Sequence, residues 1–115
     1  MRYRGATAVA LLIAWLALVP GPATPADAPP EITLTIENNR FTPEEIKVKA
    51  GVAFVLVVVN KDKAAEEFES KDLRIEKVIP GGKTIRLKVP ALKAGSYSFV
   101  GEYHEKTAKG RIIAE

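Results

Sequence analysis

The sequence predicts an all-β chain, an antiparallel two-sheet sandwich that follows an N-terminal signal peptide. Three observations carry this. Short alternations of apolar and polar residues recur from Glu31 to the end, the mark of strands with one buried face. One apolar run, Val52 to Val59, is rich in β-branched side chains and bracketed by Gly51 and Asn60. Asn, Pro and Gly punctuate the runs at short intervals, as turns require.

Taken in order, Ile32, Leu34 and Ile36 alternate with Thr33, Thr35 and Glu37, and Asn38-Asn39 then signals a turn. Phe41-Thr42-Pro43 leads to Ile46 and Val48, which alternate with Lys47 and Lys49 before Ala50-Gly51. Val52 to Val59 is too short for a buried helix and suits a central strand covered on both faces. Ile85, Leu87 and Val89 alternate with Arg86 and Lys88 between the Pro80-Gly81-Gly82 turn and Pro90. Tyr97 and Phe99 alternate with Ser96 and Ser98, and Gly110 opens the last strand through Ala114. Six or seven strands are expected, with Tyr97, Phe99 and Phe54 as core. Lys61 to Ile79 is mixed: Ala64 to Glu69 favour helix by propensity, whereas Leu73, Ile75 and Val78-Ile79 fit an edge strand. It reads as a loop with a short strand, a helical turn being the alternative.

The first residues read differently. Met1 to Arg4 is basic, Ala6 to Val19 is uncharged and apolar, and Pro20, Gly21 and Pro22 break the run before small residues follow. That order is a secretory signal peptide, and the run falls short of the roughly 20 residues of a membrane span. The expected organisation is signal peptide 1–26, cleaved after Ala26, a Pro-rich leader 27–30, and one domain 31–115. The mature chain then has about 89 of the 115 residues, enough for one modest core burying somewhat over ~60% of its unfolded surface. Losing Arg2 and Arg4 takes the formal net charge from +3 to about +1. Neither a nucleic-acid footprint nor a membrane span is expected of the cleaved chain. With no cysteine, and Met1 the single methionine, thiolate and thioether ligands are excluded.

Chemistry-bearing residues fall in two places. His104 is the single histidine, in Gly101-Glu102-Tyr103-His104-Glu105 between two expected strands that would hold it rigidly. Glu66, Glu67 and Glu69, with Glu76 further on, lie in the long segment after the apolar strand. They read either as a solvated acidic face or as carboxylate metal ligands. Tyr103 stands where it could shield His104 or donate from its hydroxyl. Lys106 and Lys109 are solubilising charges or a docking patch. One histidine without cysteine leaves too few parts for nucleophilic catalysis.

Phe41-x-Pro43, Ile46-x-Val48-x-x-Gly51, the apolar strand ending in Asn60, the Glu-Phe pair and Gly95-x-Tyr97-x-Phe99 together resemble a cupredoxin, a Greek-key β-sandwich. Set against a blue-copper protein of that family, Gly101 falls at the Cys position, His104 at the His and Lys109 at the Met. The upstream His falls at Glu66 or Glu67. A blue-copper centre needs the thiolate and cannot form here. Glu66-Glu67-Phe68-Glu69-Ser70, Leu73-x-x-Glu76-Lys77-x-x-x-Pro80-Gly81 and Gly101-Glu102-Tyr103-His104-x-x-Thr107-Ala108-x-Gly110 are similar to the periplasmic cupredoxins of bacterial iron-uptake systems, the cupredoxin-like domain of EfeO-type proteins among them.

That resemblance implies a periplasmic protein binding a copper or iron ion, with Glu66, Glu67, Glu69, Glu76, Glu102 and His104 as candidate ligands. It implies an accessory of iron transport, assisting Fe(II) oxidation or hand-over to an inner-membrane iron permease or other periplasmic iron-uptake proteins. Carboxylates with one imidazole suit iron, Mn(II) or Cu(II) rather than Cu(I). A ferroxidase would be the enzyme reading, though no residue here assures it. The alternative is a metal-free β-sandwich serving as an interaction module in the cell envelope.

Overall fold

Alternation and pairing build nine strands among the residues described by the computed structural model, which are 28–115 and, before them, 2, 5, 10, 12–15 and 17. The expected cleavage after Ala26, and most of the expected signal peptide, lie outside the described residues. Among those described, no helix is long and apolar enough to cross a membrane.

The strands are β1 (Glu31–Glu37), β2 (Arg40–Thr42), β3 (Glu45–Val48), β4 (Phe54–Asn60), β5 (Glu66–Ser70), β6 (Ile75–Ile79), β7 (Thr84–Val89), β8 (Gly95–Gly101) and β9 (Lys109–Ala114). One sheet has the order β2-β1-β4-β7 and the other β3-β9-β8-β5-β6. The expected all-β two-sheet sandwich is therefore present. Its sheets are mixed rather than wholly antiparallel, because β1 pairs with β4 and β3 with β9 in parallel. The chain changes sheets between β2 and β3, and such crossovers bring strands of like direction side by side.

The expected central strand is β4, flanked by β1 and β7 and buried along most of its length. Leu34, Ile36, Leu56, Val58, Ile79 and Ile112 meet between the sheets with no exposed surface. Phe41, Phe68 and Phe99 pack in their midst with ring centroids 5.1–6.1 Å apart, a spacing that favours edge-to-face and offset contacts. Phe54 and Phe99 are core, as expected, while Tyr97 is half-buried and donates its hydroxyl to the Lys93 carbonyl. Among the described residues, this core is drawn from 31–115.

The segment Lys61 to Ile79 is not a loop with one short strand but a hairpin, β5 and β6, paired antiparallel. Glu66, Phe68 and Ser70 are buried in alternation with Glu67 and Glu69. Helix propensity yields because β5 also pairs with β8, through Phe68 opposite Gly101 and Glu69 opposite Val100. β6 is the sheet edge, as its sequence suggested.

Candidate metal centre

The two ends of β5 prepare the site. Asn60, 1% exposed at the end of β4, donates from its amide to the carbonyls of Ala64 and Ile79 at 2.9 and 3.0 Å. Its side-chain oxygen accepts from the Asp62 amide. The loop into β5 is thereby fixed at both sides. Past Gly101 the chain leaves β8 and makes a 3-10 turn, Glu102–His104, which packs against β5.

Strand alternation then sends neighbouring glutamates to opposite faces. Glu66 points inward and is 1% exposed. Its Oε1 accepts the amides of Glu67 and Tyr103 at 2.9 and 3.0 Å. Its Oε2 lies 2.6 Å from His104 Nδ1. The His104 carbonyl in turn accepts the amides of Thr107 and Ala108, closing the connection into β9. A buried carboxyl with three partners is satisfied, so Glu66 is bound into the fold and would have to surrender a bond to ligate an ion.

Glu67 points outward. A carboxylate oxygen from each of Glu67, Glu76 and Glu102 lies within 4.8 Å of the others. Glu67 Oε1 is shut away from water without a hydrogen-bond partner. The carboxyls of Glu76 and then Glu102, with which a protonated Glu67 can share its proton, raise the Glu67 carboxyl to about 7, followed by burial and their negative charge. Glu69 is raised as well, by burial first and then by Glu102 and Glu76, against the nearby Lys71. Burial, followed by the charge of Glu67, lifts the Tyr103 phenol above its ordinary value.

Five of the six candidates thus fall in two groups on the two faces of one strand, Glu66 with His104 inside, and Glu67, Glu76 and Glu102 outside. Glu69 borders the second group. Glu102 and His104 are two residues apart on the same turn, so the groups share one end of the sandwich. Tyr103 faces Glu67 as well as adjoining His104. The sequence reading did not separate a structural Glu66 from an outward Glu67, though the alternation Glu66-Phe68-Ser70 carries that signal.

The geometry tests two kinds of metal against these residues. A Cβ on Gly101 would lie 2.7 Å from the Ala108 Cβ, 2.7 Å from Glu66 Cδ and 3.0 Å from Glu66 Oε1. The space a cysteine would need at that position is filled by the Glu66 carboxyl, so a thiolate copper centre does not fit. An ion held by oxygen ligands does fit the outer group, where it would supply the partner Glu67 Oε1 lacks.

Comparison with known proteins agrees with this architecture. A family model described as "Cupredoxin-like domain" matches residues 8–114. An uncharacterised protein of Rickettsia prowazekii (strain Madrid E) is 36% identical over 93 residues, covering 81% of this chain and 74% of its own length. Among solved structures, auracyanin A, a "blue" copper protein of Chloroflexus aurantiacus, superposes with TM-score 0.66 at 15% identity, over 76% of this chain and 100% of its own. A copper binding protein solved in its apo form gives TM-score 0.65 at 24% identity, over 74% and 86%. The metal binding domain of the Streptococcus pneumoniae D39 Cu(I) exporting P-type ATPase gives 0.62 at 15%, over 74% and 84%. At such identities these likenesses speak for the fold.

Proposed function

The chain belongs to the cupredoxin-like domain family, and from that premise we propose that it is an exported, periplasmic metal-binding protein. Its cargo is iron or Cu(II), held by carboxylates, and its role is that of an accessory in iron transport, passing the ion to a permease or assisting Fe(II) oxidation. Relatedness to copper-binding proteins supports the metal, and the resemblance to iron-uptake cupredoxins supports the pathway.

The observation that carries the proposal is the outer carboxylate group with its orphaned Glu67 Oε1. Carboxylates at this spacing repel one another, and in the absence of a cation a proton shared through Glu67 relieves the strain. Glu67, Glu76 and Glu102 would hold the ion, with Glu69 adding negative charge beside them. Hard oxygen donors with at most one imidazole select against Cu(I) and accept iron, Mn(II) or Cu(II), of which the family resemblance favours iron and Cu(II).

Titrating Fe(II) without oxygen, and Cu(II) separately, into the domain and into its Glu67→Gln variant tests this. Saturable binding that the variant weakens at least ~10-fold is expected, since charge and ligand are lost together. Equal, weak uptake by both proteins would remove the reading.

One observation favours a second reading, the metal-free interaction module. Val78, the register partner of Glu67, is 47% exposed and Tyr103 is 51% exposed, so two apolar side chains border the acidic group. A basic partner protein would find both charge and apolar surface there. The same titration separates the two, because a module of that kind shows no saturable uptake of either ion.

A further inference from the structure

The Glu66–His104 contact decides which atom of the imidazole is free. Glu66 Oε1 already accepts two backbone amides, and Oε2 meets His104 Nδ1 at 2.6 Å. With Glu66 as a carboxylate, an acceptor at both oxygens, the proton in the third contact rests on Nδ1. Neutral imidazole has one lone pair, and it then lies on Nε2, across the ring from the buried carboxyl.

The ring is 32% exposed, whereas the Glu66 side chain is 2% exposed. His104 lines an open cleft of about 520 Å³ together with Glu102, Glu105 and Thr107. Glu102 belongs both to this cleft and to the outer carboxylate group.

We propose that Glu66 is a positioning residue for His104: it locks the Nδ1–H tautomer and leaves Nε2, turned from the interior, as the imidazole's single free lone pair. Glu66 thereby does two things at once. It fills the interior space beside Gly101, and it presents the histidine to the cleft that Glu102 shares. A carboxylate bonded to the far nitrogen of a histidine is a common way to fix a ligand ring and raise its basicity. The tautomer lock stands on geometry alone, while its use toward a cation rests on the metal-binding reading.

Ring nitrogen NMR of the metal-free domain, residues 27–115, tests the lock directly. The expected spectrum has the proton on Nδ1 and a bare Nε2; a proton on Nε2 overturns the inference. Adding Zn(II) as a diamagnetic probe should then move Nε2, and a shift at Nδ1 instead would overturn it as well. If Nδ1 carries the proton and Zn(II) moves neither nitrogen, the lock is upheld and the use of His104 toward a cation is overturned, while the outer carboxylate group is judged by its own Glu67→Gln titration. In Glu66→Gln, the side-chain amide can donate to Nδ1, so the ring proton should transfer to Nε2. Zn(II) affinity should then fall roughly 10–100-fold, as when such partners are lost elsewhere. Should that variant fail to fold, the wild-type spectrum still decides.

Discussion

Glu69 on β5 and Glu76 on β6 are register partners, two carboxylates directly opposite each other on the outer face of an edge hairpin. Directly opposed residues in an antiparallel pair have Cβ atoms ~4.5–5.5 Å apart, and like charges there destabilise the sheet. Glu67 and Glu102 add to the same charge. A hairpin that existed only to complete the sheet would gain from a lysine at any of these positions. The arrangement makes sense where something positive is received.

Stability should therefore depend on pH in an unusual direction. Glu67 rises from its ordinary 4.5 to about 7 in the folded chain. Between those values the folded state holds a proton that the unfolded state has released, so stability falls as pH rises. Metal-free protein should melt highest near pH 4.5 and progressively lower up to about 7, with no further loss from this group beyond. Glu67→Gln should flatten that slope. Thermal melts followed by circular dichroism from pH 4.5 to 8.5 check it, and a wild-type slope that survives the substitution would refute the assignment.

Gly101 and Glu66 should behave as one packing unit. Gly101→Ala puts a methyl 2.7 Å from Glu66 Cδ, an overpacking that costs about 1–3 kcal/mol. Glu66→Ala alone leaves the Glu67 and Tyr103 amides and the His104 ring without their acceptor, at about 2–4 kcal/mol. In the double variant the methyl occupies vacated space, apart from the Ala108 Cβ. Urea unfolding should show a coupling of about 1 kcal/mol, the double variant being more stable than the sum predicts.

How much of this was legible in the sequence varies along the chain. Period-two patterns marked β1, β3, β7 and β8, an unbroken apolar run marked β4 and Gly110 opened β9, because each strand buries one or both faces with apolar side chains. β5 was obscured by its own chemistry. Its inward positions are Glu66, Phe68 and Ser70, and a buried glutamate breaks the apolar signal on which the reading depends. The candidate residues came from the sequence as a set, through a resemblance around His104 and the glutamates. Their division was hidden with β5 itself, because the alternation that separates Glu66 from Glu67 holds a single apolar residue, Phe68. The closure of the interior beside Gly101 was likewise invisible, because a glycine reports nothing about what occupies the space next to it.

Asn60 should be the residue on which the β5–β6 hairpin depends. It joins the end of β4 to the carbonyls of Ala64, before β5, and Ile79, at the end of β6. Asn60→Ala strands both carbonyls in a buried setting, at about 2 kcal/mol. Asn60→Asp should cost more, since a carboxylate would face two acceptors. Hydrogen exchange should then show β5 and β6 losing protection while β1 and β4 keep theirs. Uniform loss across both sheets would mean that Asn60 serves the whole fold rather than this hairpin.

Metal uptake itself should compete with the Glu67 proton. Below about 7 the carboxyl is protonated, and an ion entering the outer group must displace that proton. Apparent affinity should therefore fall about tenfold per pH unit on the acid side and level off above pH 8. The thermal response follows from the same exchange. A saturating cation removes the repulsion that destabilises the metal-free protein at neutral pH, so the gain in melting temperature should be largest above pH 7 and small at pH 5. Combining Glu76→Gln with Glu102→Gln should abolish the gain while leaving the core untouched, both side chains being exposed. A cation-induced gain that is equal at pH 5 and pH 8, or that persists in the double variant, would place the ion elsewhere on the molecule.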